Sequence, residues 1–237
     1  ALSEEDRMAR TLLRDWALEA GFSCDVDSMG NMFIRRAGKN RALPPVMTGS
    51  HVDSQPQGGN YDGIYGVLAG LEVLRTLNDN QTETERDIVL VNWTNEEGAR
   101  FAPAMLASGV WSGQLTQEFA YARSDSAKIT VREALEAIGY RGELPARAFP
   151  VHACYELHIE QGPILEDEGI DIGLVRAAMG QRWFTLTLEG FAAHAGTTPM
   201  HSRRDALTAF AELALQVEAI GYQHAPDGRA TIGMAQV

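Results

Sequence analysis

Four short clusters bring together side chains suited to hydrolytic chemistry. The first, Gly49-Ser50-His51-Val52-Asp53, closes an apolar run. On an extended backbone His51 and Asp53 point the same way, so the carboxylate can orient a ligating imidazole. The second is Gly58-Gly59-Asn60-Tyr61-Asp62-Gly63. Its glycines permit a tight loop that sets Asp62 just before a helix. There a carboxylate can bridge two cations, one on each oxygen, or simply cap the helix. The third, Asn95-Glu96-Glu97-Gly98, directly follows the apolar run Ile88–Trp93. Two adjacent carboxylates at a strand end are costly unless a cation is near. They also point apart, so one can ligate a metal while the other handles protons; the alternative is an exposed acidic turn. The fourth is Glu156-Leu157-His158-Ile159-Glu160-Gln161-Gly162. In a strand, Glu156, His158 and Glu160 share the face opposite Leu157 and Ile159. In a central strand that face asks for a compensating cation, whereas in an edge strand it would be solvated.

Each cluster alone is weak, and the four together are much stronger, because each falls at or near a strand end. Jointly they offer a mixed nitrogen and oxygen donor set suited to zinc, and also to manganese, cobalt or nickel. A bridged pair of ions roughly 3.5–4 Å apart is an established hydrolytic arrangement.

The elements that must position these residues follow from periodicity. Ser3 and Asp6 form a capping-box pattern, Met8, Leu12, Leu13, Trp16 and Ala20 keep helical spacing, and Gly21 ends the helix. Residues 31–36 and 45–50 read as strands, 63–77 as a helix and 88–93 as a buried strand. Val131–Ile138 reads as a helix and Tyr155–Ile159 as a strand. This alternation predicts an α/β fold, an open, mixed and mostly parallel sheet with helices on both faces. Ligands in such sheets bind at the C-terminal strand ends, where His51 falls. From Gln181 the pattern changes. Phe184, Leu186 and Leu188 alternate with polar residues, a helix is expected from about Arg204 to Ile220, and Ala230–Val237 reads as a strand. The expected division is a metal-binding catalytic domain over residues 1–179 and a second, α+β domain over 180–237. The helical start and strand-like end suggest that residues are missing on both sides.

Composition narrows the function classes. Twenty Lys and Arg against 32 Asp and Glu leave a formal charge of −12, which disfavours nucleic acid and anionic membranes as partners. No apolar stretch approaches the roughly 20 residues of a membrane span. Cys24 and Cys154 form no paired motif, so a reducing, cytoplasmic location fits best.

The motifs Gly-Ser-His-Val-Asp-Ser-Gln-Pro, Gly-Gly-Asn-Tyr-Asp-Gly, Asn-Trp-Thr-Asn-Glu-Glu-Gly-Ala-Arg-Phe, Glu-Leu-His-Ile-Glu-Gln-Gly-Pro and His-Ala-Gly-Thr-Thr-Pro-Met resemble the hydantoinase/carbamoylase family of amidases. That family includes N-carbamoyl-L-amino-acid hydrolases, allantoate amidohydrolases and one lineage of β-ureidopropionases, and it is related to dinuclear zinc exopeptidases. The resemblance runs from about Leu12 to the end of the chain. It implies two divalent metal ions, zinc first among the candidates. His51 and His158 would ligate one ion, Asp62 would bridge and Glu97 would ligate the second. Glu96 would be the general base, Asp53 would hold the His51 imidazole and Gln161 would lie near the substrate. His194 would polarise the scissile carbonyl or stabilise the tetrahedral intermediate, in its own or the partner subunit's site, from a ferredoxin-like lid that also makes a homodimer and is incomplete here. A further histidine for the second ion would lie downstream. The implied reaction is hydrolysis of the carbamoyl C–N bond of an N-carbamoyl amino acid or ureide to the amino acid, ammonia and carbon dioxide. Alternatives are an allantoate amidohydrolase, a metallo-exopeptidase or aminoacylase on the same scaffold, and a catalytically inactive metal-binding protein. His158 argues against the peptidase, where a carboxylate is usual at that position.

Overall fold

A computed structural model describes residues 1–236. The chain divides into two compact units, Ala1–Gly173 and Leu174–Val237. The first contains helix α1 (Glu4–Glu19), strands β1 (Ser23–Val26), β2 (Met32–Arg36) and β3 (Val46–His51), helix α2 (Ile64–Asp79) and strand β4 (Ile88–Trp93). Helices α3 (Leu106–Trp111), α4 (Gln117–Tyr121) and α5 (Val131–Ala137), strand β5 (Ala153–Tyr155) and helix α6 (Ile164–Glu168) complete it.

The strands form one sheet in the order β1-β2-β4-β3-β5. It is mixed, as expected, but not mostly parallel: β4 and β5 run parallel to β3, whereas the β1–β2 and β2–β4 pairings are antiparallel. The β1–β2 pairing is antiparallel because the two strands are joined by a short turn, too short for a parallel crossover. The β3–α2–β4 unit is what positions the site. Its register pairs Val46 with Ile88 and His51 with Trp93, so both strands finish at the same edge. β5 pairs alongside only as far as Thr48 with Tyr155, so residues 156–160 leave the ladder at that edge too.

One sheet face packs against α1 and α2 through Met32, Ile34, Leu90, Leu13, Ala17, Val67, Leu71 and Leu74. The other carries Phe33, Met47, Val89 and Val91. This second face is covered by Trp93, Phe149 and Val151 together with Trp111, the last residue of α3. Their rings meet edge to face or tilted, with centroids 5.2–6.5 Å apart, an arrangement aromatic quadrupoles favour.

Ser3 caps α1 by accepting the Asp6 amide. The buried stripe of α1 is not the one its apolar spacing suggests. Met8 and Leu12 are exposed, and Asp6, Arg10, Leu13 and Ala17 face inward. Arg10 is admitted because Nε donates to Asp6 at 2.7 Å and Nη1 to the Gly30 carbonyl at 2.7 Å. Thr130 and Glu133 form a capping box on α5.

The fourth cluster departs from expectation. β5 ends at Tyr155, so Glu156, His158 and Glu160 lie beyond the strand, and β5 is an edge strand among the described residues. In the second unit the helix expected from Arg204 is α7 (Ala206–Gln223), capped by Asp205, which accepts the Leu207 and Thr208 amides. Residues 184–188 and 230–236 form no strand. Alternation gives a segment the side-chain pattern of a strand, but a strand needs a partner for its backbone groups, and none pairs with these segments among the described residues. Val237, the last residue of the second expected strand, lies outside the described residues.

Candidate metal centre

The edge shared by β3, β4 and the segment after β5 gathers seven of the sequence-predicted site residues. His51 ends β3 and is 2% exposed. Its Nδ1 donates to the Asp53 main-chain carbonyl at 2.8 Å, which leaves Nε2 as the bare nitrogen facing the site. His158 has the same arrangement, with Nδ1 donating to the Ile159 carbonyl at 2.8 Å. The two imidazole centroids are 5.9 Å apart.

Asp62 sits between them, 4% exposed, at the entry to α2. Its Oδ1 lies 3.2 Å from His158 Nε2 and 3.8 Å from His51 Nε2. Each of the three residues offers one donor atom, and these atoms all lie within 4.8 Å of one another. The helix enters so closely because residue 63 is glycine. Gly63 has φ +69°, and a Cβ there would meet the His51 ring at 2.4 Å.

Asp53 plays a different part from the one expected of it. Its Oδ1 is 3.8 Å from His51 Nδ1, beyond hydrogen-bond reach, and the main-chain carbonyl holds the ring instead. The carboxylate accepts the amides of Glu96 at 3.1 Å and Glu97 at 3.3 Å, tying the β4 end to the β3 end. Glu96 Oε2 reaches 3.5 Å from His51 Nε2. Burial raises the Glu96 carboxyl above its ordinary range; His51 offsets this in part, while Asp53, Glu97 and Glu156 push further up. Glu97 is raised by burial too; the Gln55 amide opposes this and Asp62 adds to it. Gln55 donates to Glu97 Oε2 at 2.8 Å, and Glu97 Oε1 is buried with no partner.

Gln161 was expected near the substrate. It has a left-handed backbone, φ +54°, and donates its amide to Asp62 Oδ2. His194 belongs to the second unit. Its Nδ1 accepts the amides of Gly196 at 3.0 Å and Thr197 at 3.1 Å, so the neutral ring carries its proton on Nε2.

Two contributors lie outside the expected set. Gln55 holds Glu97, and Asn92 Oδ1 accepts the Val52 amide at 3.0 Å, fixing the chain between His51 and Asp53. Gln55 follows His51 and Asp53 in the first motif, but nothing in its type or spacing marks it as a partner of Glu97.

These residues fit a divalent cation. Both imidazole Nε2 atoms face Asp62 Oδ1, the buried Asp62 and half-buried Glu97 raise each other's demand for positive charge, and Glu97 Oε1 is left without a partner. A cation among them answers each of these conflicts, including the orphaned Glu97 oxygen.

The family model for Peptidase family M20/M25/M40 matches residues 47–234, and the chain belongs to that family. It is 47% identical over 232 residues to an N-carbamoyl-L-amino-acid amidohydrolase of Rhizobium meliloti, covering 98% of this chain and 56% of the relative. It is 36% identical over 225 residues to a ureidoglycolate hydrolase of Arabidopsis thaliana, covering 91% of this chain and 47% of the relative. The structure of a hydantoinase/carbamoylase family amidase from Burkholderia vietnamiensis matches with a TM-score of 0.92 at 54% identity, covering 100% of this chain and 57% of that one. The chain therefore spans about half the length of the curated relatives it matches.

Proposed function

We propose that the protein carrying this chain is a metal-dependent amidohydrolase that cleaves the carbamoyl C–N bond of N-carbamoyl amino acids. The observation that carries this is the meeting of His51, Asp62 and His158, with Glu96 and Glu97 beside them. His51, His158 and Asp62 would hold one divalent ion, and Asp62 and Glu97 a second, zinc before manganese, cobalt or nickel. Bound there, such ions acidify water and polarise a carbonyl.

The chain's own residues supply the rest. Glu96, whose carboxyl is raised above its ordinary range by burial, takes a proton from the attacking water at a carboxylate oxygen. The water oxygen bonds to the carbamoyl carbon, the bond from that carbon to the amino-acid nitrogen breaks, and Glu96 returns the proton to that nitrogen. The carbamate released yields ammonia and carbon dioxide. His194, with its Nε2–H free to donate, would stabilise the negative carbonyl oxygen as it forms. The second unit is proposed as the start of a lid and dimerisation domain, which would close over the site and exclude water. Gln161 would leave Asp62 to contact substrate. The two free cysteines suit a reducing cytoplasm.

A ureide such as ureidoglycolate is the second reading, favoured by the Arabidopsis relative. A panel of N-carbamoyl α-amino acids, N-carbamoyl-β-alanine, allantoate, ureidoglycolate, N-acyl amino acids and dipeptides separates the readings. The full-length enzyme would be reconstituted in turn with zinc, manganese, cobalt and nickel. Highest kcat/KM on an N-carbamoyl α-amino acid is expected, and preference for dipeptides would overturn the assignment.

A further inference from the structure

The imidazole of His158 stands on chain that has already left the sheet. β5 pairs with β3 no further than Thr48 with Tyr155, and residues 156–160 form neither strand nor helix. His51, by contrast, is the last residue of β3 and still in the ladder, paired with Trp93 of β4. A metal centre that draws one ligand from each needs something to fix the second against the first.

The residue before His51 supplies a tether. Ser50 is fully buried, and its Oγ donates to Glu156 Oε1 at 2.5 Å, where the ladder between β3 and β5 has stopped. A short hydroxyl-to-carboxylate contact of this kind is among the stronger side-chain hydrogen bonds. Beneath it, the Leu157 backbone lies against the first turn of α2. A Cβ on Gly66 would meet the Leu157 carbonyl at 2.3 Å and Ser50 Cβ at 3.0 Å, so only glycine lets the segment pass this close. One end of the segment is thus pinned to β3 and its middle rests on α2, which leaves His158 Nε2 3.2 Å from Asp62 Oδ1.

We infer that Ser50 and Glu156 are a pair of positioning residues: their hydrogen bond joins the ends of β3 and β5 and holds His158 in place to complete the cation site with His51 and Asp62. This rests on the metal-centre reading given above. Neither side chain is required as a ligand. Their part is to keep the His158 segment in register after the backbone ladder ends.

The test uses the full-length enzyme with the variants Ser50→Ala, Glu156→Ala, Glu156→Gln, Gly66→Ala and His158→Ala. In metal-free protein, backbone NMR order parameters for residues 156–160 should lie near the rigid value of about 0.85 in wild type. They should fall below about 0.6 in Ser50→Ala and Glu156→Ala, while those of β3 and β4 stay unchanged. Glu156→Gln keeps an oxygen acceptor and should stay near wild type. Gly66→Ala disturbs the same segment by crowding and should loosen it without removing the bond. Zinc affinity, measured by competition with a chelator, should weaken about 10–100-fold in Ser50→Ala and Glu156→Ala, and no further in the double variant. Unchanged order parameters in Ser50→Ala would overturn the tether whatever the metal does. A loosened segment with wild-type zinc affinity in Ser50→Ala, alongside weakened affinity in His158→Ala, would overturn the positioning role and leave the metal centre standing. Wild-type zinc affinity in His158→Ala would overturn both.

Discussion

Replacing Asp53 by alanine tests whether that carboxylate serves the histidine or the glutamates. The ring of His51 is held by the Asp53 main-chain carbonyl, which alanine keeps, so its bare Nε2 should persist. The carboxylate accepts the amides of Glu96 and Glu97, and both lose their acceptor. An unsatisfied buried amide costs about 1–3 kcal/mol, so two cost about 2–6 kcal/mol. Because the Glu96 side chain is 32% exposed, water can reach this turn, and the lower part of that range, about 2–3 kcal/mol, is expected. A domain stable by about 5–15 kcal/mol survives such a loss. Urea unfolding of the metal-free enzyme should thus show a destabilisation of about 2–3 kcal/mol in Asp53→Ala. Turnover should fall with it, since the segment carrying Glu96 and Glu97 is no longer pinned to β3. Imidazole nitrogen NMR should still show the His51 proton on Nδ1. Unfolding within about 0.5 kcal/mol of wild type, or a His51 proton moved to Nε2, would refute this reasoning.

Gly63→Ala should disrupt the centre, since its Cβ would fall 2.4 Å from the His51 ring on a backbone of φ +69°. A stability loss of about 1–3 kcal/mol and metal affinity weakened about 10–100-fold are expected by calorimetric titration, and full affinity would contradict the packing described. Burial raises Asp27 to about 6, against hydrogen bonds from Asn31 and Met29 that lower it. A carboxyl raised in the folded state contributes stability that is full below its unfolded pKa and lost as pH rises through its folded one. Wild type should therefore gain roughly 2 kcal/mol relative to Asp27→Asn between pH 7 and pH 4; a pH-independent difference in urea unfolding would refute this. His194→Ala should lower kcat by about 10²–10³-fold with metal content unchanged on elemental analysis, and wild-type turnover would remove it from catalysis.

Much of the first unit is legible in the sequence, and the reason is local. The runs at β3 and β4 are apolar, each ends in a polar motif, and parallel pairing brings both ends to one edge, so the sequence alone puts His51, Glu96 and Glu97 together. The less legible parts depend on partners distant in sequence. Asp6 and Arg10 line the buried face of α1 because they satisfy each other and Gly30, which hydrophobic spacing does not reveal. Asp53 was expected to act through its side chain on His51, but the bend after β3 turns its carbonyl to the ring and its carboxylate to β4. His158 looked like a strand residue because its neighbours alternate, although the β3–β5 ladder stops at Tyr155. The alternating segment 184–188 shows the same limit, since side-chain pattern alone does not supply a pairing strand.

The central claim is that a cation held by His51, Asp62 and His158 works with Glu96 as base. Its most direct test is ammonia release from an N-carbamoyl amino acid by full-length wild type and Glu96→Gln, each chelated and then reloaded with zinc, with bound metal counted in the same samples. Chelated wild type should be inactive and regain activity on reloading, whereas Glu96→Gln should bind as much metal and remain at least about 10²-fold slower. Full ammonia release by the chelated enzyme, or by metal-loaded Glu96→Gln, would contradict the claim.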